Sequence, residues 1–268
     1  MNFHLLKANI KSQSKNLSTY ALGSLMYLWI LIWVFPSIVS TKGINELINS
    51  LPDNFLQATG LEGGITELNS YLAGEYYGLI FLLLLTIFSI VVSTQLVAQL
   101  VDRGAMAYLL TTPSSRVRVV TTQAVTLIIG LVTVVLFNYV GGIVGASLFL
   151  EKHQINTSVF LKINIMGGML FLLVCAYSFF FSCVLNDEKY AMGASAGLTL
   201  FFYGLDMFGK LSEDLEWLRN ISIFGLFRPQ EIVAGKYEIG TSSILLLLAS
   251  LVTFILSIVL FKKRDLPL

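Results

Sequence analysis

Ionisable side chains are scarce in this chain of 268 residues. Only 12% of its residues are charged, whereas 56% are hydrophobic, and the mean hydropathy is +0.79. An ordinary soluble domain carries about 25% charged residues. The shortage of charge therefore excludes a soluble fold and predicts an all-α polytopic membrane protein, because a helix satisfies its own backbone hydrogen bonds in lipid.

Residues that perform catalysis or bind metals are also few. The two cysteines, Cys175 and Cys183, lie in one apolar run and would be about 12 Å apart along a helix, too far for a disulfide. The two histidines, His4 and His153, fall outside the apolar runs. Neither a zinc motif nor a nucleotide-binding P-loop is present. We therefore predict that the chain is not an enzyme and binds no metal or cofactor by itself.

One hydrolase-like motif needs separate treatment. Residues 193–197 read Gly-Ala-Ser-Ala-Gly, the G-x-S-x-G pattern that surrounds the nucleophilic serine of several hydrolases. A serine nucleophile needs a general base, and neither histidine lies in an apolar run. The spacing of Gly193 and Gly197 instead favours close packing between helices, and Gly141 with Gly145 repeats it.

Long apolar runs predict six membrane spans, since about 20 apolar residues cross the hydrocarbon. The spans cover residues 20–40, 76–100, 119–150, 163–185, 190–205 and 243–261. Two long polar loops, residues 41–75 and 206–242, fall on the same side. None of the 17 basic and 16 acidic residues lies well inside a span, which argues against a carrier driven by protons or sodium ions. The polar residues at depth are neutral amides: Gln95, Gln123, Asn138 and Asn164.

The first 19 residues form a basic, amphipathic segment. Lys7, Lys11 and Lys15 recur every four residues beside an apolar arc. This pattern predicts an interfacial helix at the membrane surface, with its lysines directed toward lipid phosphates. We therefore divide the chain into an interfacial helix, residues 1–19, and a six-helix transmembrane domain, residues 20–268.

Basic residues are distributed unevenly between the two sides of the predicted membrane domain. The side that carries both termini would hold ten of the 17 lysines and arginines but only four of the 16 acids. Cytoplasmic loops are enriched in lysine and arginine. We therefore expect a multi-pass protein of the cell membrane, of bacterial origin, with both termini in the cytoplasm.

A charged segment, residues 101–118, separates the second and third predicted spans. Met106, Leu109 and Leu110 have helical spacing and form an apolar stripe. Its charged side chains, which cannot enter lipid without a large cost, are Asp102, Arg103, Arg116 and Arg118. Such a helix either docks into a partner or lies with its apolar side on the membrane, and the pattern alone fits both.

The same segment resembles the cytoplasmic signature of ABC-2-type exporter permeases. In that family a glycine, a Leu-Leu pair and then Pro-x-Ser-Arg mark a coupling helix and its exit into the third span. The resemblance implies that the residues coupling this chain to an ATPase are Asp102, Arg103, Gly104, Met106, Leu109, Leu110, Pro113, Ser115 and Arg116. The family often has an acid where this chain has Ala107, so no salt bridge is carried over to that position.

The resemblance also implies partners and a function. Residues 1–19 would be the elbow helix of the family, and residues 206–242 would contain short helices. Two permease chains, identical or paired with a sister subunit, would assemble with cytoplasmic ABC ATPase subunits that bind the ATP and magnesium. The assembly would export an amphipathic or hydrophobic cargo, such as a peptide, toxin, lipid or drug. The alternatives are a membrane scaffold or regulatory protein that transports nothing, and an intramembrane enzyme.

The distribution of basic residues yields a prediction about topology. In variants that each carry one added cysteine, Lys7→Cys, Ser114→Cys and Leu268→Cys should react only from the cytoplasm, whereas Asp53→Cys and Glu213→Cys should react from outside. A membrane-impermeant maleimide applied to intact and to opened cells measures this, and the parent chain controls for its own two cysteines. External labelling at position 114 would contradict both the topology and the coupling role.

Overall fold

The computed structural model describes residues 2–40, 67–111, 115–150 and 155–264. Across these ranges the chain is helical with short connections and contains no strand. The helices are α1 Phe3–Ser40, α2 Leu68–Glu75, a π-helical segment Tyr76–Ile80, α3 Phe81–Leu96, α4 Ala98–Asp102, α5 Ala105–Leu110, α6 Arg116–Phe149, α7 Thr157–Val184, α8 Glu188–Leu211, α9 Trp217–Ile221, α10 Pro229–Val233 and α11 Ile239–Lys263. The predicted all-α class is confirmed.

Five helical stretches are long and apolar enough to cross a membrane. They are Phe3–Val39, Leu68–Asp102, Arg116–Phe149, Thr157–Val184 and Ile239–Lys263. These stretches coincide to within one residue at their ends with, or contain, five of the six predicted spans and confirm a multi-pass membrane protein. The remaining prediction, residues 190–205, lies within α8, whose apolar content is lowered by several glycines and by Asp206 and Lys210.

Helix α8 nevertheless runs from one end of the helical bundle to the other. Its 24 residues measure about 36 Å, more than the hydrocarbon thickness of about 30 Å. Helices α7 and α11 run parallel, because Met166 lies beside Ser243 at one end and Cys183 beside Arg264 at the other. The chain must therefore return to the starting end of α7 before α11 begins, and α8 makes that return.

The two ends of the bundle gather different parts of the chain. One end, called here the α5 end, holds the start of α1, α4 and α5, the turn between α7 and α8, and the end of α11. At the other end, called the α10 end, the Asn69 side chain donates to Asn156 O at 3.0 Å and accepts from the Asn156 N–H at 3.1 Å, and Gln230 Nε2 donates to Ser70 O. Residues 101–111 thus share an end with the start of α1 and with Arg264, as predicted, while the cytoplasmic assignment of that end stays a prediction.

The predicted interfacial helix and the first span belong to one continuous helix, α1, and the functional division between them at residue 19 stays a prediction. Helix α1 continues through residue 19, and Asn9 Nδ2 and Asn16 Nδ2 donate to Gln123 Oε1 and Gln95 Oε1 at 2.7 and 2.8 Å. No glycine or proline between residues 3 and 22 would allow a break, and these amides bind the start of α1 into the bundle. The lysines predicted to meet lipid phosphates are exposed on α1: Lys7, Lys11 and Lys15.

The two long loops are only partly as predicted. Residues 41–66 lie outside the described ranges, but Leu68–Glu75 is helical, so the second helical stretch begins before the predicted residue 76. The connection at residues 206–242 contains short helices, as predicted, and part of it packs into the bundle. Phe227 is buried against Tyr77 and Phe81, with ring centroids 6.5 and 6.3 Å apart.

Neutral polar residues join the helices at depth. Asn138 Oδ1 accepts hydrogen bonds from Ser24 Oγ at 2.6 Å and from the Tyr76 hydroxyl, which links α1, α6 and the π-helical segment. Asn164 Nδ2 donates to the Tyr77 hydroxyl at 2.8 Å, which adds α7. These amides therefore act as contacts between packed helices.

Of the two glycine pairs with small-xxx-small spacing, only one brings helices together within the described chain. A Cβ on Gly141 would lie 2.0 Å from Leu25 Cδ1, and one on Gly145 would lie 2.8 Å from Trp29 Cδ1, so α1 and α6 pack closely along their parallel faces. Nothing described lies within 4 Å of a Cβ on Gly193 or Gly197. Among the described residues these two glycines bring no helix close, so the expectation of close packing there stays a prediction.

Close packing in the bundle yields a prediction for a third glycine of α6. Gly142→Ala would place a Cβ 2.4 Å from the Phe160 ring, which is fully buried and stacked on Tyr139. Overpacking of this kind costs about 1–3 kcal/mol. We expect a lower midpoint of thermal unfolding, measured on detergent-purified protein.

The control is Gly168→Ala on α7, where the nearest atom of Val135 would be 3.6 Å away, an ordinary contact. Its midpoint should remain close to that of the parent chain. Equal midpoints for the two variants would show that the α6–α7 contact is looser than described.

Candidate functional site

Two short helices form the described part of the segment between the second and third predicted spans. Helix α4 ends at Asp102, and Gly104 adopts a φ of +69°, a left-handed conformation that glycine takes at little cost. Helix α5 then begins at Ala105. The glycine therefore allows the chain to change direction between two helices that are separated by only two residues.

The apolar stripe of this segment is covered by the chain itself. Met106 is fully buried in the core of the bundle, and Leu109 and Leu110 pack partly buried against that core. The chain itself therefore covers much of the stripe, and the role of these three residues in coupling to an ATPase stays a prediction. Pro113, which the family resemblance assigned to the same site, lies outside the described ranges.

The exposed face of the segment carries different residues. Asp102, Arg103 and Gly104 are exposed, and Tyr108 is 80% exposed. Sequence reasoning passed over Tyr108, although its position two residues after Met106 places it on the opposite side of a helix. This face combines a carboxylate, a guanidinium and an aromatic ring within two turns of chain.

Helix α4 contacts the first turn of α8 through hydrogen bonds to Glu188. Gln99 Nε2 donates to Glu188 Oε1 at 2.7 Å, and the Glu188 backbone N–H donates to Asp102 Oδ2 at 3.4 Å. Arg103 lies 3.9 Å from the same carboxylate, but its side chain is 68% exposed, so this ion pair contributes little. The hydrogen bond between Gln99 and Glu188 is therefore the main contact between α4 and α8.

Ser115 and Arg116 fix the exit from the segment into α6. Ser115 is the N-cap of α6, and its Oγ accepts a hydrogen bond from the Arg118 N–H at 3.3 Å. Arg116 Nη1 donates to Arg264 O at 2.8 Å, and the Arg264 guanidinium in turn donates to Cys183 O. Burial lowers the pKa of Arg264, and an arginine remains charged at neutral pH. These bonds hold the ends of α6, α7 and α11 together.

An apolar groove of about 310 Å³ lies between α3 and α8. Its walls are almost entirely hydrocarbon: Leu79, Leu82, Leu83, Thr86, Ile87, Ile90, Ala196, Thr199, Leu200, Tyr203 and Phe224. Leu79, Leu83 and Leu200 are each more than half exposed, so the groove is open on the outer surface of the bundle. Its size and lining suit an acyl chain or a few apolar side chains.

A buried charge cluster lies on α8, toward the α10 end. The Asp206 carboxylate is 3% exposed and accepts from Lys210 Nζ at 2.7 Å and from Arg219 Nε at 3.4 Å. The cluster ties α8 to α9, and the nearby Phe224 ring packs edge-on against Tyr203, 5.6 Å away. Our sequence analysis missed this cluster because the predicted span ended at residue 205; the i, i+4 spacing of Asp206 and Lys210 was the available signal.

The described residues give no catalytic arrangement around Ser195. Its Oγ is buried and donates to Ala191 O at 2.8 Å, the usual bond of a serine within a helix. Among the residues described, no group of three or more His, Cys, Asp or Glu could hold a metal ion. The G-x-S-x-G pattern therefore marks a helix surface in this fold.

The sequence of residues 24–266 matches that of the ABC-2 family transporter proteins. The match includes α2 to α11 and all but the first part of α1. No curated protein shows significant similarity to the chain.

Proposed function

This chain belongs to the family of ABC-2 family transporter proteins, and we propose that it is the permease subunit of an ATP-driven exporter whose ATPase is a separate chain. Membership of the family makes it a membrane component of a transporter that lacks an ATPase of its own. The family match over residues 24–266 is the observation that carries the proposal. An intramembrane enzyme is disfavoured because Ser195 has only a helical hydrogen bond.

We infer six membrane crossings with α8 as the fifth, and cytoplasmic termini. The length of α8 and its passage from the α5 end to the α10 end support the crossing. The excess of lysine and arginine among residues of the α5 end supports its location in the cytoplasm. Exposed Lys7, Lys11 and Lys15 would then lie close to the phosphates of the cytoplasmic leaflet.

The ATPase would contact the exposed face of α4 and α5. Tyr108 has the character of an interface anchor, since tyrosine combines a large apolar ring with a hydroxyl and is enriched among residues that dominate binding. Asp102 and Arg103 would flank it as polar contacts. Met106 would hold α5 in position from the buried side rather than contact the ATPase.

The apolar groove would receive the hydrophobic part of the cargo. Its walls favour an amphipathic peptide, toxin, lipid or drug over a sugar or an ion, because a charged ligand would find no partner there. The exposed face of α8 would pack against a second permease chain. Gly193 and Gly197 support this role, since a Cβ on either would meet nothing within 4 Å among the described residues, which leaves room for a second helix to approach closely.

Movement of the ATPases would reach the groove through two connections. Helix α4 follows α3 in the chain after Val97, and Gln99 of α4 is hydrogen-bonded to Glu188 of α8. Helices α3 and α8 form the two walls of the groove. A displacement of residues 98–111, which comprise α4 and α5 and are called here the coupling segment, would therefore change the width of the groove. A scaffold protein that transports nothing would not need a connection between this segment and a groove.

The first test concerns the anchor residue. Tyr108→Ala should weaken assembly with the ATPase by at least about tenfold, because truncating a central interface aromatic costs about 2 kcal/mol or more. Affinity of the purified chains and ATP-dependent transport are the measurements. Met106→Pro, by contrast, would disrupt the buried core and cannot isolate docking.

Tyr190→Ala is the matched control, because Tyr190 is 74% exposed and also lies at the α5 end, in the first turn of α8. It should bind the ATPase as the parent chain does. Equal losses for both variants, or none for either, would exclude Tyr108 as the anchor.

The second test concerns the energy source. In liposomes that contain this chain alone, proton and sodium gradients should move no labelled amphipathic peptide, because no charged group lies in the described walls of the groove. Adding a partner ABC ATPase should give ATP-dependent movement. An ATPase variant without its catalytic carboxylate is the control, and gradient-driven transport by the isolated chain would refute the proposal.

A further inference from the structure

The helix that leads to the coupling segment is broken at a residue that gives no obvious reason for a break. Helix α3 ends at Leu96, Val97 has φ −132° and ψ −64°, and α4 begins at Ala98. Neither proline nor glycine occurs between residues 79 and 103. Sharp changes of helix direction without proline arise where a side chain or water enters the hydrogen-bond ladder.

The inserted group is the hydroxyl of Ser182 on α7. Ser182 Oγ accepts a hydrogen bond from the Ala98 backbone N–H at 2.8 Å and donates one to Ser93 O at 2.9 Å. In an unbroken helix, the Ala98 N–H would donate to the carbonyl of Thr94, four residues earlier. One buried hydroxyl from a neighbouring helix thus satisfies a donor and an acceptor on the two sides of the break.

The position of this joint makes it relevant to coupling. Helix α3, before the break, forms one wall of the apolar groove, and α4 and α5, after it, carry the exposed Arg103 and Tyr108. Beyond the joint, α4 is held by the Gln99–Glu188 bond. The angle between α3 and α4 therefore sets where the exposed face lies relative to the groove.

We propose that Ser182 is a positioning residue whose hydroxyl holds the joint between α3 and α4 and thereby sets the position of the coupling segment; its role in transport rests on the function proposed above. Without the hydroxyl, the Ala98 N–H and Ser93 O would both be buried without this partner, which is unfavourable. The ladder from α3 into α4 can recover those bonds by closing across Val97. Tyr108 would then change its position relative to the first turn of α8.

Spin labels can measure this movement on the full chain in lipid nanodiscs, without an ATPase. Tyr108→Cys and Tyr190→Cys place labels on two exposed sites, whereas Cys175 and Cys183 are fully buried. Ser182→Ala is introduced into this labelled chain. The matched control is Ser178→Ala, one turn earlier on α7, because Ser178 is also fully buried and its Oγ has no hydrogen-bond partner within the described residues.

We expect Ser182→Ala to shift or broaden the distance distribution between positions 108 and 190, and Ser178→Ala to leave it unchanged. An unchanged distribution in Ser182→Ala, or the same change in both variants, would overturn the proposal. A Ser182→Ala chain that fails to fold while Ser178→Ala folds would also overturn it, since the hydroxyl would then be needed for stability and not for position.

A second measurement separates this proposal from the proposed function. In liposomes with the ATPase, Ser182→Ala should lower the amount of labelled peptide moved per ATP hydrolysed severalfold, while Ser178→Ala should not. A shifted distance with unchanged transport per ATP would overturn the role of Ser182 in coupling. If the parent chain shows no ATP-dependent transport, the proposed function fails, and the spin-label distances still decide whether Ser182 holds the joint.

Discussion

Hydrogen bonds between helices are the constraint on which this structure depends, because lipid supplies no partner for a polar group at depth. Asn138 accepts from Ser24 and Tyr76, and Asn164 donates to Tyr77, so four helical elements are fixed to one another by neutral groups. The same requirement explains the break at Val97. A backbone donor and acceptor leave the regular ladder there only because a neighbouring serine satisfies both of them.

This arrangement separates two kinds of contact in the bundle. Helices α1 and α6 pack through glycines and amides over most of their length and form a close, parallel pair. Helices α3 and α8, in contrast, diverge enough to leave a groove between them. Helix α8 is tied instead to other helices, to α4 by the Gln99–Glu188 bond and to α9 by the cluster around Asp206. A groove bounded in this way can change width while the remainder of the bundle keeps its packing.

Hydropathy and charge predicted much of this fold, because membrane spans are set by length and apolar content, which a sequence displays directly. The same reasoning predicted that the start of α1, the coupling segment and the end of α11 lie at one end of the bundle. The sequence could not predict which way the Met106 stripe faces. An amphipathic helix has the same pattern whether a partner or its own chain covers its apolar side. The sequence also could not predict that α1 packs into the bundle from its first turns, because this depends on the hydrogen-bond partners of Asn9 and Asn16 on distant helices. The inward position of Asp206 depended on Arg219, which no local pattern connects to it.

The pairing of α1 with α6 also bears on how the protein is made. Asn9 and Gln123, which form one of its hydrogen bonds, are 114 residues apart in the chain. At about 5–20 residues synthesised per second, α1 waits roughly 6–23 s for its partner. During that interval the amides along α1 need water, lipid head groups or an insertion factor to satisfy them. Helix α1 therefore reaches its final surroundings only after α6 has been made.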